Sequence, residues 1–410
     1  MKTIRSSTLA LASLLTAAAC GGDSGRGGEW QGTVQDSAGI PVVHNTGPGI
    51  WSGEPGWALE EVFRVGGLDA GTEGEFSLVV GVDADADGRV YVADQQARHV
   101  QIYHPDGSFA GTLGAPGEGP GEFGPALMGV FVSATHVRVP DLTNQRVNLF
   151  TLEGASDGVV PFRLTGGVPV RWDEAAGDVL TAQLRGMDVE GMAALPLGDP
   201  IITVTGEDAQ PDTLGYLPKG QSLSFAGGQP RIRLFEPEPV WDVDGSGRLA
   251  AAMNGEYRIE LRRDGAVERV VTRPVERRPV TERDQERVRD MMGRLMAPQG
   301  APPQVLAQII SSIEFAEYFP AFAQVMLGPD ETLWVQRIRA VEQVDDATEF
   351  NPQDLGSPDW DVFDADGRYL GVLTMPGTFQ PLRLVGDVLY GIETDDFDVQ
   401  SVVGYRVRPR

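Results

Sequence analysis

The feature that most constrains this chain is a repeat. Residues 66–76 read GGLDAGTEGEF and residues 113–123 read LGAPGEGPGEF. Their Glu-Phe pairs close at Phe76 and Phe123, and 123 − 76 gives an offset of 47. The same offset carries Val90 and Val92 onto Val137 and Val139, and Asp94 onto Asp141. It also carries Val100, Ile102, Tyr103 and Gly107 onto Val147, Leu149, Phe150 and Gly154. So many correspondences in one register mark a structural unit used more than once.

Each unit reads as short strands. Residues 78–82 form one, and the Asp87-Gly88 turn follows. Residues 89–93, with a β-branched and aromatic pattern, form the second. Residues 99–103 and 108–113 form the third and fourth, separated by Pro105-Asp106-Gly107. A four-stranded meander of about 40–50 residues is the size of a propeller blade. One blade cannot bury both faces, whereas a closed ring of blades can, and it also protects strand edges.

Weaker copies follow. Residues 179–181 mark a third unit, and 241–251 with Asp244-Gly245 begin a fourth, which continues through 257–262 and the Asp264-Gly265 turn. Residues 322–336 begin a fifth, whose outer hairpin at 360–373 turns at Asp366-Gly367. The last unit offers three strands, at 382–385, 388–392 and 401–407. Its missing fourth strand is available at 58–65, near the other end of the chain. The expectation is an all-β, six-bladed β-propeller over residues 57–410, with five or seven blades as the alternative counts. The 52 glycines and 29 prolines suit a turn-rich all-β chain.

Asp141-Leu142-Thr143-Asn144-Gln145-Arg146-Val147 resembles the D-x-x-N-x-R-[IV] core of NHL-type propeller repeats. Tyr91-Val92-Ala93-Asp94 resembles the strand that precedes that core, although this first copy has Ala97 at the Asn position and His99 at the Arg position. The EGPGEF run at 118–123 and the DSAGIPVVHN run at 36–45 resemble bacterial six-bladed propeller lipoproteins of poorly known function. The resemblance covers residues 36–164; beyond that only blade spacing carries it. It implies fold and location, and it brings no catalytic residues with it.

The N-terminus carries an export signal. Lys2 and Arg5 precede an apolar or small-residue run at 9–19, too short to span a bilayer. Cys20 follows Ala17-Ala18-Ala19 and precedes Gly21-Gly22-Asp23, an arrangement similar to a bacterial lipobox. The departure is Ala17, where Leu is usual; Leu15 sits two residues too early. The expectation is a signal peptide at 1–19, lipid attachment at Cys20, and a lipid-anchored tether and lead-in at 20–56. The alternative is an ordinary signal peptide cleaved nearby, with Cys20 a thiol. Cys20 is the single cysteine, so no disulfide can form within the chain. Residues 21–29 are Gly-rich and polar, as a flexible tether would be. No later apolar run reaches 18 residues.

The formal net charge is −26, and removing Lys2 and Arg5 with residues 1–19 takes it to −26 − 2 = −28. Such a surface repels phosphate backbones, so no nucleic-acid partner is expected.

Residues 281–319 break the β pattern. Thr281 is a helix N-cap candidate with Asp284 three residues on. Val288, Met291, Met292, Leu295 and Met296 follow helical spacing, and Val305, Leu306, Ile309, Ile310 and Ile313 suggest a second helix. The insertion reads as a helical hairpin packed on the propeller, or as a lid or partner-docking element.

Several motifs tempt a chemical reading. Asp83-Ala84-Asp85-Ala86-Asp87-Gly88 resembles a calcium loop, but strands flank it and the copy at 130–141 lacks the three aspartates, so it reads as a blade turn. Asp242-Val243-Asp244-Gly245 and Asp364-Ala365-Asp366-Gly367 are shorter forms. Residues 114–121 lack the Gly-Lys-[Ser/Thr] ending of a phosphate loop, and Glu118 would oppose phosphate. His44, His99, His104 and His136 form no zinc-type pair, and no Gly-x-Ser-x-Gly elbow occurs. Trp172, Trp241, Trp334 and Trp360 read as core. No cofactor or metal is expected, and no catalytic residue can be singled out.

The leading expectation is an exported, lipid-anchored propeller. It would sit at the periplasmic face or the outer membrane and bind a protein or small-molecule ligand through loops gathered around the channel. The competing expectation is a metal-dependent hydrolase of lactonase type, which needs inward-facing carboxylates from several blades. A purely structural envelope role is a third possibility.

Overall fold

The computed structural model describes residues 28–51, 54–68, 71, 74–162, 167–175, 179–185, 198–204, 212–220, 223–226, 229–296, 302–339 and 355–410. The signal peptide and Cys20 lie outside them.

Alternating apolar positions and Asx or Gly turns produce six four-stranded antiparallel meanders in chain order. Blade 1 is Val79–Ala84, Val90–Asp94, His99–Tyr103 and Phe109–Leu113. Blade 2 is Phe131–Val132, His136–Asp141, Arg146–Thr151 and Ser156–Pro161. Blade 3 is Val168–Ala175, Val179–Arg185, Asp199–Thr203 and Thr213–Leu217. Blade 4 is Pro239–Val243, Leu249–Met253, Arg258–Arg263 and Ala266–Thr272. Blade 5 is Val325–Leu327, Leu333–Ile338, Gly356–Phe363 and Tyr369–Thr374. Blade 6 is Gln380–Val385, Val388–Thr394, Gln400–Pro409 and, as its outermost strand, Trp57–Gly66. The six-bladed expectation holds, and so does the closing strand. Trp57–Gly66 pairs antiparallel with Gln400–Pro409, from Trp57 opposite Pro409 to Gly66 opposite Ser401.

The core lies between blades. Tyr91, Phe123, Val139 and Phe150 fill the junction of blades 1 and 2, and Phe63, Tyr103 and Tyr390 fill that of blades 6 and 1. Trp334, Trp360, Leu389 and Tyr405 fill that of blades 5 and 6. Trp172, Trp241, Trp334 and Trp360 are all buried, as read from the sequence.

Before closing the ring, the N-terminal segment belts its outer rim. The hairpin Gly32–Ser37 and Ile40–Asn45 extends blade 4, with Ile40–Asn45 parallel to Ala266–Thr272. Buried Asn45 then joins three elements. It donates to Thr272 O at 3.2 Å and Gly367 O at 3.0 Å, and accepts from Trp30 Nε1 at 2.8 Å and the Tyr369 amide at 2.7 Å. All its hydrogen-bonding capacity is used, so its burial costs little.

Strands alternate in direction, so the connections sort onto two faces. The tight turns between first and second, and third and fourth strands share one face. The connections between second and third strands and those from blade to blade share the other, which carries the longest connections of the ring. The insertion, between blades 4 and 5, belongs to this second face. It holds α1 (Glu282–Met296) and α2 (Pro303–Ser311). Thr281 and Asp284 form the expected reciprocal cap, at 2.9 Å from the Thr281 amide to Asp284 Oδ2 and 3.2 Å from the Asp284 amide to Thr281 Oγ1. Val288 and Met291 of α1 pack on Leu234, Phe235, Ile313 and Phe319, so α1 is anchored. No residue of α2 is buried.

Candidate functional site

The innermost strands, joined by Arg138 from the second strand of blade 2, bring a charged cluster to the centre of the ring. Asp83 (blade 1), Asp173 and Glu174 (blade 3) and Asp242 (blade 4) supply four carboxylates. Arg138 (blade 2), Arg171 (blade 3) and Arg383 (blade 6) supply three guanidiniums. Asp83, Asp173, Asp242 and Arg383 occupy one recurring position, opposite Tyr91, Thr181, Ala250 and Tyr390 on the second strands. That position lies near the tight-turn face.

Arg383 spans the ring. Its guanidinium is 3.1 Å from Asp83, 3.1 Å from Asp173 and 2.9 Å from Glu174, and it lies over the Phe131 ring at 5.5 Å. Glu174 also receives Arg138. Arg171 Nη2 serves two carboxylates, Asp242 at 2.9 Å and Asp173 at 3.5 Å. Backbone amides add to the cluster: Val132 N donates to Asp83 at 2.8 Å and Leu327 N to Asp242 at 2.7 Å. These bonds link neighbouring blades through one carboxylate each.

Four carboxylates against three guanidiniums leave one negative charge unbalanced. Burial, with Asp173 adding repulsion, pushes the Asp242 carboxyl up to about 7. Burial also raises Asp83 and Glu174, opposed by Arg383 for Asp83 and by Arg138 and Arg383 for Glu174. Arg383 is held firmly protonated by the acids around it, which outweigh its desolvation. The cluster is an internal salt lattice that ties blades 1, 2, 3, 4 and 6 together near the tight-turn face.

Beyond this cluster the inner strands expose apolar side chains beside polar ones such as Gln380. Inner-strand register shifts lie between Val79 and Gly81, Pro169 and Arg171, and Pro381 and Arg383. They leave Val80, Val170 and Leu382 as extra residues, and Val170 and Leu382 are each 40 % exposed.

The motif residues read from the sequence act in turns and connections. Asp141 accepts from Gly124 N at 2.8 Å and Asn144 N at 3.0 Å, and Asp94 accepts from Ser77 N at 2.6 Å and Ala97 N at 2.9 Å. These partners repeat the offset of 47. Asn144 Nδ2 donates to Gly117 O at 3.2 Å, and Arg146 donates to Glu118 O, Gly119 O and Glu122 O at 2.8, 2.5 and 3.0 Å. Arg146 and Asn144 thus fasten the Gly-rich connection that enters blade 2.

The calcium-like aspartates diverge. Asp83 enters the channel lattice, whereas Asp85 accepts from Asp87 N and Arg89 N at 3.0 and 2.9 Å and pairs with Arg89 Nε at 2.6 Å. Asp244 and Asp395 cap their own turns in the same way. Among the described residues no three His, Cys, Asp or Glu side chains are grouped to share a metal ion. The histidines lie apart: His44 meets Thr272 at 2.8 Å and His136 meets Asp157 at 2.9 Å. Sequence reading did not single out Asp173, Glu174, Arg138, Arg171 or Arg383, because their grouping depends on ring closure.

No family model matches the chain. No curated protein matches it either. Solved structures do. A Bacteroides fragilis protein assigned as exported superposes with a TM-score of 0.51 at 10% identity, covering 90% of this chain and 99% of its own. A DUF4221-family member from Bacteroides vulgatus gives 0.50 at 10% identity, covering 87% and 99%. Virginiamycin B lyase from Staphylococcus aureus gives 0.40 at 10% identity, covering 85% and 99%. At these identities the likeness is one of fold. The fold is a six-bladed β-propeller.

Proposed function

We propose that this chain is an exported, lipid-anchored propeller that binds a ligand or protein at the cell envelope through its long-connection face. The observation that carries this reading is the asymmetry of the two faces. Near the tight turns Arg383 bridges the ring through its ion pairs with Asp83, Asp173 and Glu174, whereas toward the opposite end the inner strands expose apolar side chains, Val170 and Leu382. The lipobox-like sequence at Cys20, the NHL-like motif at 141–147 and the exported Bacteroides relative in fold support the location.

Anchoring at Cys20 would also orient the ring. Gly28 N donates to Ile50 O at 2.6 Å, and Ile50 N to Tyr369 O at 3.3 Å, beside the Asp366-Gly367 tight turn. Eight Cα-to-Cα steps lead from Cys20 to Gly28 (28 − 20), a reach of at most about 29 Å. The tight-turn face would then lie toward the membrane and the mouth away from it.

The lactonase alternative is not favoured. A metal held in the channel would have to displace Arg171, Arg138 and Arg383 from the carboxylates they already neutralise.

Two experiments test the reading. Palmitate labelling and membrane fractionation should be lost on Cys20→Ala; a labelled or membrane-bound variant rejects the anchor. A photoreactive residue placed at position 397 should crosslink to a partner in intact cells, and one at position 366 should not. Equal yields from both positions reject the mouth as the binding face.

A further inference from the structure

The mouth carries three exposed apolar side chains at the junction of blades 6 and 1. Phe397 is 75% exposed, Leu68 65% and Leu78 43%. Gln400 ties their three segments together. Gly67 N donates to Gln400 O at 3.2 Å, Val79 N donates to Gln400 Oε1 at 2.8 Å, and Phe397 stands three residues before Gln400 on the same hairpin. Leu382, on the inner strand of blade 6, is 40% exposed as well.

This display is built into the backbone. Asp395 accepts from Phe397 N at 2.9 Å and Val399 N at 3.0 Å, and Asp398 takes a left-handed φ of 61°. Asp94 accepts from Leu78 N at 3.2 Å. The turn holds Phe397 outward, where water contact is unfavourable, instead of letting it fold onto the blade.

The surround is acidic. Asp395, Asp396, Asp398 and Glu75 are exposed around these side chains. Arg98 lies on the adjoining loop of blade 1, so these five described residues sum to −4 + 1 = −3. An anionic bilayer would be repelled by this rim, and a second copy would bring the same charge to it. A basic polypeptide suits both features.

We propose that the Phe397–Leu68–Leu78 group docks a cationic polypeptide segment carrying aromatic or aliphatic anchor side chains. This rests on the mouth being the binding face. The apolar side chains supply the anchor site, and the carboxylates select the charge and speed the encounter.

The test uses the purified full chain and fluorescent synthetic peptides in which Lys alternates with Leu and Trp. Two analogues replace Lys by Glu, or Leu and Trp by Gly. The parent peptide should bind at least tenfold more tightly than either analogue, and more weakly as salt rises. Phe397→Ser or Leu68→Ser should weaken it tenfold or more. The double variant Asp396→Asn with Asp398→Asn should weaken it and flatten the salt dependence. Asp87→Asn, on the opposite face, should leave it unchanged, and circular dichroism should report intact folding for all these surface variants.

Loss of affinity in Asp87→Asn equal to that in the rim variants, or indifference to Phe397→Ser, overturns the proposal. Equal binding of the analogue with Glu in place of Lys overturns the charge selection while leaving the mouth as a binding face. No binding by any peptide, together with no crosslinking from position 397, overturns both.

Discussion

Arg383 and Asp173 meet across the channel at 3.1 Å, although they belong to blades 6 and 3, on opposite sides of the ring. The same guanidinium reaches Asp83 at 3.1 Å in blade 1. One side chain therefore bridges the closing blade, its next neighbour and the facing blade.

Arg383→Met should accordingly be among the most damaging substitutions in the chain. It would leave Asp83, Asp173 and Glu174 without their shared cation in a buried setting. Breaking a buried ion pair in this way costs about 3–5 kcal/mol. Urea unfolding at pH 7 should show the loss. Arg383→Lys should recover only part of it, because an ammonium lacks the planar fork that serves three carboxylates. Full recovery by lysine would mean that simple charge, and not the fork, holds the ring.

The acid pair should make stability depend on pH. Burial and Asp173 raise Asp242 to about 7, above the ordinary aspartate value of 3.8. The folded chain thus binds a proton that the unfolded chain has released. Stability should fall as pH rises between about 4 and 7 and level off above that. One group in this position changes stability by at most about 1.4 kcal/mol per pH unit. Asp83 and Glu174, also raised by burial, act in the same direction. Denaturant midpoints should therefore decline from pH 5 through 6 to 7 and change little from 7 to 8, and Asp242→Asn, which mimics the protonated form, should flatten the decline. A rising series would contradict a proton held on Asp242 in the folded chain.

The blades were legible in the sequence because their signals are local. Asp85, Asp244 and Asp395 cap turns within four residues, and the partners of Asp94 and Asp141 repeat at a fixed offset. The closing strand was legible because blade 6 lacked one strand and residues 58–65 offered it. The channel lattice was not. Arg383 lies 210 residues from Asp173, so no spacing links them. Register shifts between Pro169 and Arg171 and between Pro381 and Arg383 also change which face each later side chain takes. Asp83 sits in a calcium-like motif whose neighbours face elsewhere, which hid its role as a partner of Arg383.

The connection into blade 2 should loosen when its fasteners are removed. Arg146 serves three carbonyls of residues 118–122, and Asn144 serves Gly117. Arg146→Ala should cost about 1–3 kcal/mol, since carbonyls lose charge-assisted donors. It should also bring protease cleavage within 117–121 well before global unfolding. The equivalent change in blade 1, His99→Ala, should have less effect, because His99 Nε2 has no hydrogen-bond partner there. Similar cleavage in both variants would show that Arg146 does not fasten this loop.

Two truncations should separate the belt from the closure. A chain beginning at residue 54 loses Trp30, Asn45 and Trp51 but keeps Trp57–Gly66. It should still close its ring, since blade 6 retains four strands. It should be weaker by a few kcal/mol, because Tyr369 N and Gly367 O lose Asn45, and Trp57 loses the Trp51 ring whose centroid lies 5.8 Å away. A chain beginning at residue 67 also removes Phe63 and Val65 from the core shared with Tyr103 and Tyr390. It leaves Gln400–Pro409 as an open edge bearing buried-type side chains such as Val402, Val403 and Tyr405. Such an edge templates aggregation. Size-exclusion chromatography should find the first truncation monodisperse and the second aggregated. A soluble, cooperatively unfolding chain from residue 67 onward would show that the ring closes without its N-terminal strand.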